Sequence, residues 1–173
     1  MLVLGVDPGT RITGYGAVAR TGGRFVCVAR GVIRPGSSLS LPQRLLALHD
    51  RLGELVRELT PDAIAVEDCF LARNLRSTLA LGQVKGLVLV VAARQGIDVF
   101  EYAPRRVKQA VVGNGNASKE QVRFMIERMV TNAGAAGQPP GRSSLDLSDA
   151  LAVAVCHHHQ ARGASARALE AVR

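Results

Sequence analysis

The chain has 173 residues, 47% of them hydrophobic, which suits one domain with a core of normal size. It is strongly basic, with 22 Lys and Arg against 14 Asp and Glu and a net charge of +8, and such a surface favours a polyanionic partner. The sequence has no apolar stretch of ~20 residues, which argues against a membrane span, and no charged segment before its first apolar run, which argues against a secretory signal. It has no Cys-x-x-Cys spacing, which argues against a zinc or disulfide framework. Together these features favour a cytoplasmic protein.

Three apolar segments in the N-terminal part of the chain predict β-strands. They cover residues 2–7, 14–19 and 25–33. Pro8-Gly9-Thr10 and Gly22-Gly23 supply the turns between them. Because the three strands follow one another closely, we expect an antiparallel meander.

The remainder predicts alternating helices and strands. Leucines recur at helical spacing from Ser40 to Thr60, and Pro61-Asp62 ends that helix. A strand over 63–66 follows, then helices over 77–95, 104–111 and 118–130, a strand over 98–102 and a last helix from about 143 to 159. Residues 131–142 are rich in Gly, Ala and Pro and predict a loop. The predicted class is therefore α/β.

Four carboxylates stand where this fold is expected to gather them. Asp7 and Glu67 each end an apolar run, so neighbouring parallel strands would present both at one sheet edge. Asp146 and Asp149 are three residues apart and share a helical face. Clustered carboxylates repel one another, and divalent cations are the usual way to keep them ionised. The pattern therefore indicates a metal-dependent nuclease.

Each of these carboxylates also has a simpler interpretation. Asp7-Pro8-Gly9 is a common turn sequence, Glu67 would suit a solvated strand end, and Ser143-x-x-Asp146 resembles a helix cap. Asp149, however, opens an apolar helix whose start is expected to be buried, where unpaired carboxylates are costly. Considered together, the four favour a cation site.

Several motifs resemble known families. Leu4-Gly5-Val6-Asp7-Pro8-Gly9-Thr10, followed by Gly14-Tyr15-Gly16, resembles the first hairpin of the ribonuclease-H-like superfamily. It also resembles the phosphate loop of actin-like ATPases and sugar kinases, but those have two such domains and this chain is too short for both. Motifs at 66–70, 107–113 and 146–154 follow in the order and spacing of RuvC-type Holliday-junction resolvases. Nearly the whole chain up to about His159 is similar to that family.

The resemblance implies a ribonuclease-H-like fold, with a five-stranded mixed sheet, antiparallel in its first three strands and parallel in the remainder, flanked by helices. Residues 1–159 would form the nuclease domain, while the polar, small-residue composition of 160–173 predicts a flexible tail. The expected activity is resolution of four-way DNA junctions in recombination and repair, by paired incisions that leave 5′-phosphate and 3′-hydroxyl ends. The expected partners are a second copy of the chain, forming a homodimer, and the RuvA and RuvB branch-migration proteins.

The resemblance also implies the residues of the site. Two Mg²⁺ or Mn²⁺ ions would lie between Asp7, Glu67, Asp146 and Asp149, with Asp7 bridging them and Asp146 the least strict of the four. One ion would lower the pKa of the attacking water and the other would stabilise the leaving oxygen. Lys108 and Lys119 match basic positions that face the cleaved phosphate. The further residues expected to contact DNA are Phe70, which would stack on an unpaired base, and Arg73, Asn74, Arg76 and Arg105.

Two other features are ambiguous. His157, His158 and His159 are consecutive, so their side chains point ~100° apart on a helix and cannot share one ion. We interpret them as a cationic helix end. Gly82-x-x-x-Gly86 permits close approach of a symmetry-related helix, although packing on the sheet would explain it equally well.

Two alternative functions remain open on the sequence. One is another ribonuclease-H-like nuclease, such as a YqgF-type enzyme of ribosomal RNA maturation. The other is a junction-binding module that does not cleave, which the complete acidic quartet disfavours.

Overall fold

The computed structural model describes residues 1–68, 75–132 and 143–170, and within the last helix it describes the side chains of 147–161. The strands are β1 (Leu2–Asp7), β2 (Thr13–Thr21), β3 (Arg24–Ile33), β4 (Ala63–Glu67), β5 (Asp98–Tyr102) and β6 (Val130–Thr131). The helices are α1 (Leu41–Leu59), α2 (Leu75–Arg94), α3 (Pro104–Val112), α4 (Lys119–Met129) and α5 (Ser143–Glu170).

The strands form one mixed sheet in the order β5-β4-β1-β2-β3-β6. The first three strands are antiparallel neighbours, and β4 pairs in parallel with both β1 and β5. The predicted α/β class and mixed sheet are confirmed. The predicted count of five strands is wrong by one, because Val130 and Thr131 leave α4 and pair in parallel with Phe25 and Val26. Two residues are too few to give a periodic signal.

Helices cover both faces of the sheet and enclose two apolar cores. On one face α1 and α2 pack on alternate residues of the strands, including Leu4, Val6 and Ile64. On the other face α3, α4 and α5 cover the intervening residues, including Val3 and Ala65. Side chains of a strand point alternately to the two faces, so residues that share a face with Val3 and Ala65 lie beneath α5.

Helix α5 lies unusually close to the strands beneath it. A Cβ atom added to Gly5 would come 2.0 Å from the carbonyl oxygen of Ala150, and one added to Gly16 would come 2.7 Å from the Leu151 side chain. Gly5 and Gly16 are paired across β1 and β2, so they make a flat patch on which α5 rests. A glycine inside a strand often marks such a close approach.

Two helix boundaries show how local signals set the elements. Helix α1 begins with a capping box between Ser40 and Gln43 and ends at Thr60, whose positive φ of 43° makes a left-handed cap before Pro61. Both ends agree with the prediction. Helix α5 extends to Glu170 rather than ending near His159. Whether residues 160–173 are flexible, as expected, stays a prediction.

Within the described ranges, α2 is the one helix whose length and apolar composition would also suit a membrane span. A single helix of this kind is weak support for a membrane protein, because core helices and signal sequences have the same length and composition. About a fifth of its apolar window (22%) is buried inside the chain, so most of this apolar helix faces outward.

Candidate active site

Asp7 and Glu67 lie at the same end of neighbouring strands. Strands β1 and β4 run in parallel, with Val6 opposite Val66, so the next residue of each strand is its carboxylate. Both carboxylates share a face with Val3 and Ala65, which is the face covered by α5. The predicted convergence at one sheet edge therefore agrees with the strand register.

The turn that follows Asp7 is held by Thr13. Its hydroxyl donates a hydrogen bond to the Gly9 carbonyl (2.7 Å) and accepts one from the Gly9 amide (3.3 Å). A Cβ atom at Gly9 would come 2.1 Å from the Ile12 carbonyl oxygen, so the turn requires glycine. These contacts fix the backbone directly after Asp7, and Thr13 is a supporting residue that the sequence analysis did not single out.

Helix α5 brings Asp149 to this edge of the sheet. Its side chain is 13% exposed, and its Oδ2 lies 2.6 Å from the Nζ atom of Lys119. Glu67, Lys108, Lys119 and Asp149 line one small cavity of about 40 Å³, together with apolar residues of α3, α4 and α5. Four predicted elements (β4, α3, α4 and α5) thus bring their charged groups to a single place.

The charges in this cavity depend on one another. Burial raises the pKa of Glu67, and the neighbouring charge of Asp149 raises it further, while Lys119 and Lys108 lower it. Burial lowers the pKa of Lys119, but the hydrogen bond to Asp149 and the charges of Asp149, Asp7 and Glu67 outweigh it, so its pKa is raised. Three carboxylates and two ammonium groups therefore form one coupled cluster.

The donor set fits a hard divalent cation. Its oxygen-only chemistry suits Mg²⁺ or Mn²⁺, and the mutual repulsion of Glu67 and Asp149 is what a cation relieves. Among the described side chains, no three His, Cys, Asp or Glu groups already stand in an arrangement to hold a metal. Asp149 is paired with Lys119 instead, and the side chain of Asp146 lies outside the described part. Asp146 itself is in the first turn of α5.

The predicted DNA-contacting residues are only partly described. Phe70, Arg73 and Asn74 lie outside the described residues. Arg76 is exposed in the first turn of α2, and Arg105 is exposed in the first turn of α3 and packs over Gly115. Arg105 therefore stands on the same short helix as Lys108, which lines the cavity.

A lysine that the sequence analysis gave no role reinforces this edge of the sheet. Lys85 of α2 lies 2.8 Å from Asp68 and 2.5 Å from Glu101, with its Nζ atom between the two carboxylates. The Asp68 amide also donates a hydrogen bond to the Tyr102 carbonyl (2.8 Å), which continues the ladder past Glu67. Lys85 thus ties α2 to the ends of β4 and β5, next to Glu67. No spacing rule connects residues this far apart in sequence.

The histidine interpretation is corrected by the structure. His157 and His158 lie inside α5 rather than at its end, and both are buried. The Nδ1 atom of His157 is hydrogen-bonded to the Tyr102 hydroxyl (2.8 Å), and Nε2 of His158 donates to the Val18 carbonyl (2.9 Å). Burial lowers the pKa of both imidazoles, so they are core groups held neutral rather than a cationic helix end.

The sheet has a mixed strand order, and two carboxylates stand at the ends of its parallel strands β1 and β4, on the face that α5 covers. This arrangement defines a nuclease of the ribonuclease-H-like class. The family model for "Crossover junction endodeoxyribonuclease RuvC" matches residues 3–157. A RuvC protein of Pelobacter propionicus is 46% identical over 92% of this chain and 86% of its own length. One of Paramagnetospirillum magneticum is 45% identical over 99% of both chains. The chain therefore belongs to the RuvC family of crossover junction endodeoxyribonucleases.

Solved structures agree with this assignment. RuvC of T. thermophilus in complex with a Holliday junction substrate superposes with a TM-score of 0.83 at 32% identity, covering 95% of this chain and 96% of the other. The yeast mitochondrial Holliday junction resolvase Ydc2 has a TM-score of 0.67 at 15% identity, covering 89% and 76%, and supports the fold alone. The predicted family, fold and endonuclease class are confirmed.

Proposed function

We propose that the protein cuts four-way DNA junctions at the edge formed by Asp7, Glu67 and Asp149, with Asp146 completing the set. The observation that carries this proposal is the coupled charge cluster, in which two strand-end carboxylates and one helix carboxylate share two lysines. A cytoplasmic role in recombination and repair follows from that substrate.

The carboxylates would hold two Mg²⁺ or Mn²⁺ ions, which when bound supply a lowered water pKa and stabilise negative charge on the leaving oxygen. The chain's own residues have separate tasks. Asp7 and Glu67 are held by the sheet register, and Asp149 is held by the packing of α5 on β1 and β2. This rigid support keeps the donors at fixed positions while the DNA is bound.

Lys119 and Lys108 would place positive charge next to the phosphate that is cut. Lys119 would be free to leave Asp149 if that carboxylate held a metal ion, because the Lys119 side chain is 60% exposed. Its long flexible stem then allows it to contact a phosphate oxygen. Arg76 and Arg105 would contact neighbouring phosphates, and we keep the predicted roles of Phe70, Arg73 and Asn74 as part of this proposal.

A homodimer is proposed from the outer face of α2. Leu75, Leu79, Gly82, Gly86 and Leu89 follow one another at alternating steps of four and three, which aligns them on one side of the helix. Leu75 and Leu79 are 67% and 61% exposed. A Cβ atom at Gly82 or Gly86 would meet nothing within 4 Å, so packing on the sheet does not account for these glycines. A second copy of the same helix would cover this face.

Two-fold symmetry also suits the substrate. A four-way junction must be cut on two opposed strands to give ligatable duplexes, and an isologous dimer supplies two equivalent sites. Cooperation with RuvA and RuvB belongs to the same proposal, because branch migration brings the crossover to the enzyme.

The carboxylates can be tested one at a time. Asp7→Asn, Glu67→Gln and Asp149→Asn should each lower the cutting rate of a labelled four-way junction in Mg²⁺ or Mn²⁺ by at least about 100-fold, the scale seen when one preorganised contact to a reacting centre is lost. Asp146→Asn should retain more activity. Binding, measured in Ca²⁺, should be equal or tighter because a negative charge near the phosphates is removed.

The matched control is Asp98→Asn, which removes an exposed carboxylate at the opposite end of the sheet and should cut at the wild-type rate. Duplex DNA and an RNA substrate are included in the same assay. Cutting by Asp7→Asn at the wild-type rate would refute the proposed site, and preference for RNA would refute the proposed substrate.

A further inference from the structure

A second concave site lies beside the proposed active site and is lined by three arginines. The cavity has a volume of about 280 Å³, and its walls are Arg11, Arg34, Pro35, Ser37 and Arg44. The arginines come from different elements. Arg11 lies between β1 and β2, Arg34 directly follows β3, and Arg44 is in the first turns of α1. The fold, rather than a local sequence motif, brings them together.

The charge of this cavity is not balanced within the described chain. Other arginines pair with nearby carboxylates, as Arg51 does with Glu54 and Arg123 with Glu127. Across residues 1–68, 75–132 and 147–161, no ion pair joins a carboxylate to any of the three cavity arginines. The first turn of α1 contains no acidic residue either. Three positive charges around one concavity favour an anionic ligand.

One of the three arginines is already held in place. The Nε atom of Arg44 donates a hydrogen bond to the Leu39 carbonyl (3.0 Å), and the Leu39 amide donates to the Gly36 carbonyl (3.1 Å). Both contacts orient the segment that leads into α1. A guanidinium whose plane is fixed in advance loses less freedom when it binds an oxyanion. The cavity is therefore preorganised on the α1 side.

The position of the cavity relates it to the cleaved strand. Asp7 is paired with Gly14, and Thr13 is paired with Ile33, so the end of β3 lies two strands from Asp7 at the same edge. Two strand spacings amount to about 10 Å. Successive phosphates of one strand rise about 3.4 Å along the duplex axis and lie further apart through space, so this distance spans at most about three nucleotides. Arg44 stands on α1, which covers the opposite face of the sheet from α5, so a DNA strand with one phosphate at the carboxylates would cross this edge to bring a further phosphate to the arginines.

We propose that this cavity binds a backbone phosphate of the junction, a few nucleotides from the phosphate that is cut, and so fixes the direction in which one arm leaves the site. The inference rests on the proposed function. The lining supplies three guanidinium groups and one hydroxyl and contains no aromatic ring, so it suits a phosphodiester rather than a stacked base. Contacts of this kind set the register of the protein on DNA without reading its sequence.

The experiment compares two double variants that remove the same charge. Arg34→Ala with Arg44→Ala changes the cavity. Arg24→Ala with Arg57→Ala is the control, because both residues are exposed and lie at the opposite end of the sheet and of α1. Junction dissociation constants are measured in Ca²⁺ over a series of salt concentrations.

The cavity variant should bind the junction about tenfold more weakly or worse, as expected for the loss of charge-assisted hydrogen bonds. The slope of log K against log salt should fall by about one, the value for one lost phosphate contact. The control should stay close to the wild type, and circular dichroism melting curves of both variants should match it.

Two outcomes would overturn the inference. One is a cavity variant with the affinity and salt slope of its control. The other is saturable binding of inorganic phosphate that the cavity variant abolishes while junction affinity is unchanged, which would indicate a site for a free anion. Failure of the proposed function is distinct, because the wild type itself would then not bind or cut the junction.

Discussion

Position 5 accepts only glycine, because it has no space for a Cβ atom. The carbonyl oxygen of Ala150 occupies the space where a Cβ atom would stand, and that oxygen is backbone and cannot rotate away. Asp149 is the neighbour of Ala150. A side chain at Gly5 would therefore push the residue next to a proposed metal ligand away from the strand that carries Asp7.

Gly5→Ala should consequently destabilise the fold and impair cutting together. Overpacking of this kind costs typically about 1–3 kcal/mol, and a displacement of α5 separates Asp149 from Asp7. Urea denaturation gives the stability, and cutting is measured well below the transition. Gly53→Ala is the control, because a Cβ atom there meets nothing and alanine is the better helix former, so it should stabilise α1 by about 0.5–1 kcal/mol. Equal stability of Gly5→Ala and the wild type would contradict this account.

At the scale of elements, local signals predicted some segments well and others not at all. Helix α1 was predictable because its leucine spacing, the Ser40 cap and Pro61 all agree. Strand β6 was not, because it exists only through pairing with Phe25 and Val26. Continuation of α5 beyond His159 was also missed, because the polar, small-residue sequence after it gives no apolar period.

In the candidate site, too, some residues could be predicted from local sequence signals and others could not. The convergence of Asp7 and Glu67 at one sheet edge could be predicted because each ends an apolar strand. Asp149 could be assigned to the last helix because an apolar run follows it. The contacts of Lys85 with Asp68 and Glu101, and the gathering of Arg11, Arg34 and Arg44, depend on tertiary packing between segments far apart in sequence. The Tyr102 partner of His157 likewise had no signal along the chain.

The histidine segment of α5 should make the fold sensitive to acid. Burial lowers the pKa of His157 and His158 below the ordinary value of 6.5. The groups around His157 are Phe100, Tyr102 and His158; those around His158 are Val18, Arg20, Phe25, His159 and the N-terminal ammonium. As the pH falls through about 6.5, these two histidines bind protons in the unfolded chain but stay neutral in the folded chain. The contribution of the two neutral histidines to the free energy of unfolding is therefore fully present above this pH and is lost progressively below it.

The decline should approach at most about 1.4 kcal/mol per pH unit for each histidine, and it should level off once the pH is below the folded pKa. The measurement is the free energy of unfolding in urea between pH 7.5 and pH 5. His158→Gln keeps a donor for the Val18 carbonyl and should remove part of the dependence. His49→Gln, at a partly exposed position of α1, is the control and should keep it. A pH profile of His158→Gln identical to the wild type would refute the assignment.

For the whole molecule, the outer face of α2 predicts the assembly state. Leu79→Glu places a charge inside the proposed apolar contact, where an unpaired charge would be costly to bury. It should raise the dimer dissociation constant by at least about 100-fold and convert paired incision into single nicks. Sedimentation velocity and a cruciform plasmid assay measure the two effects.

Leu46→Glu is the matched control for this experiment. Leu46 is 62% exposed and Leu79 is 61% exposed, but Leu46 lies on α1. The control should leave both the assembly state and paired cutting unchanged. A wild-type protein that is monomeric at micromolar concentration and still makes paired incisions would refute the dimer.

The close seating of α5 on Gly5 and Gly16 also has a consequence during protein synthesis. Asp7 is among the first residues to leave the ribosome, and Asp149 is among the last. Their meeting requires the final helix to dock on the first two strands. A product that ends before α5 lacks Asp149 and should therefore not cut junctions. Completion of the last helix is thus the step of synthesis on which the proposed activity depends.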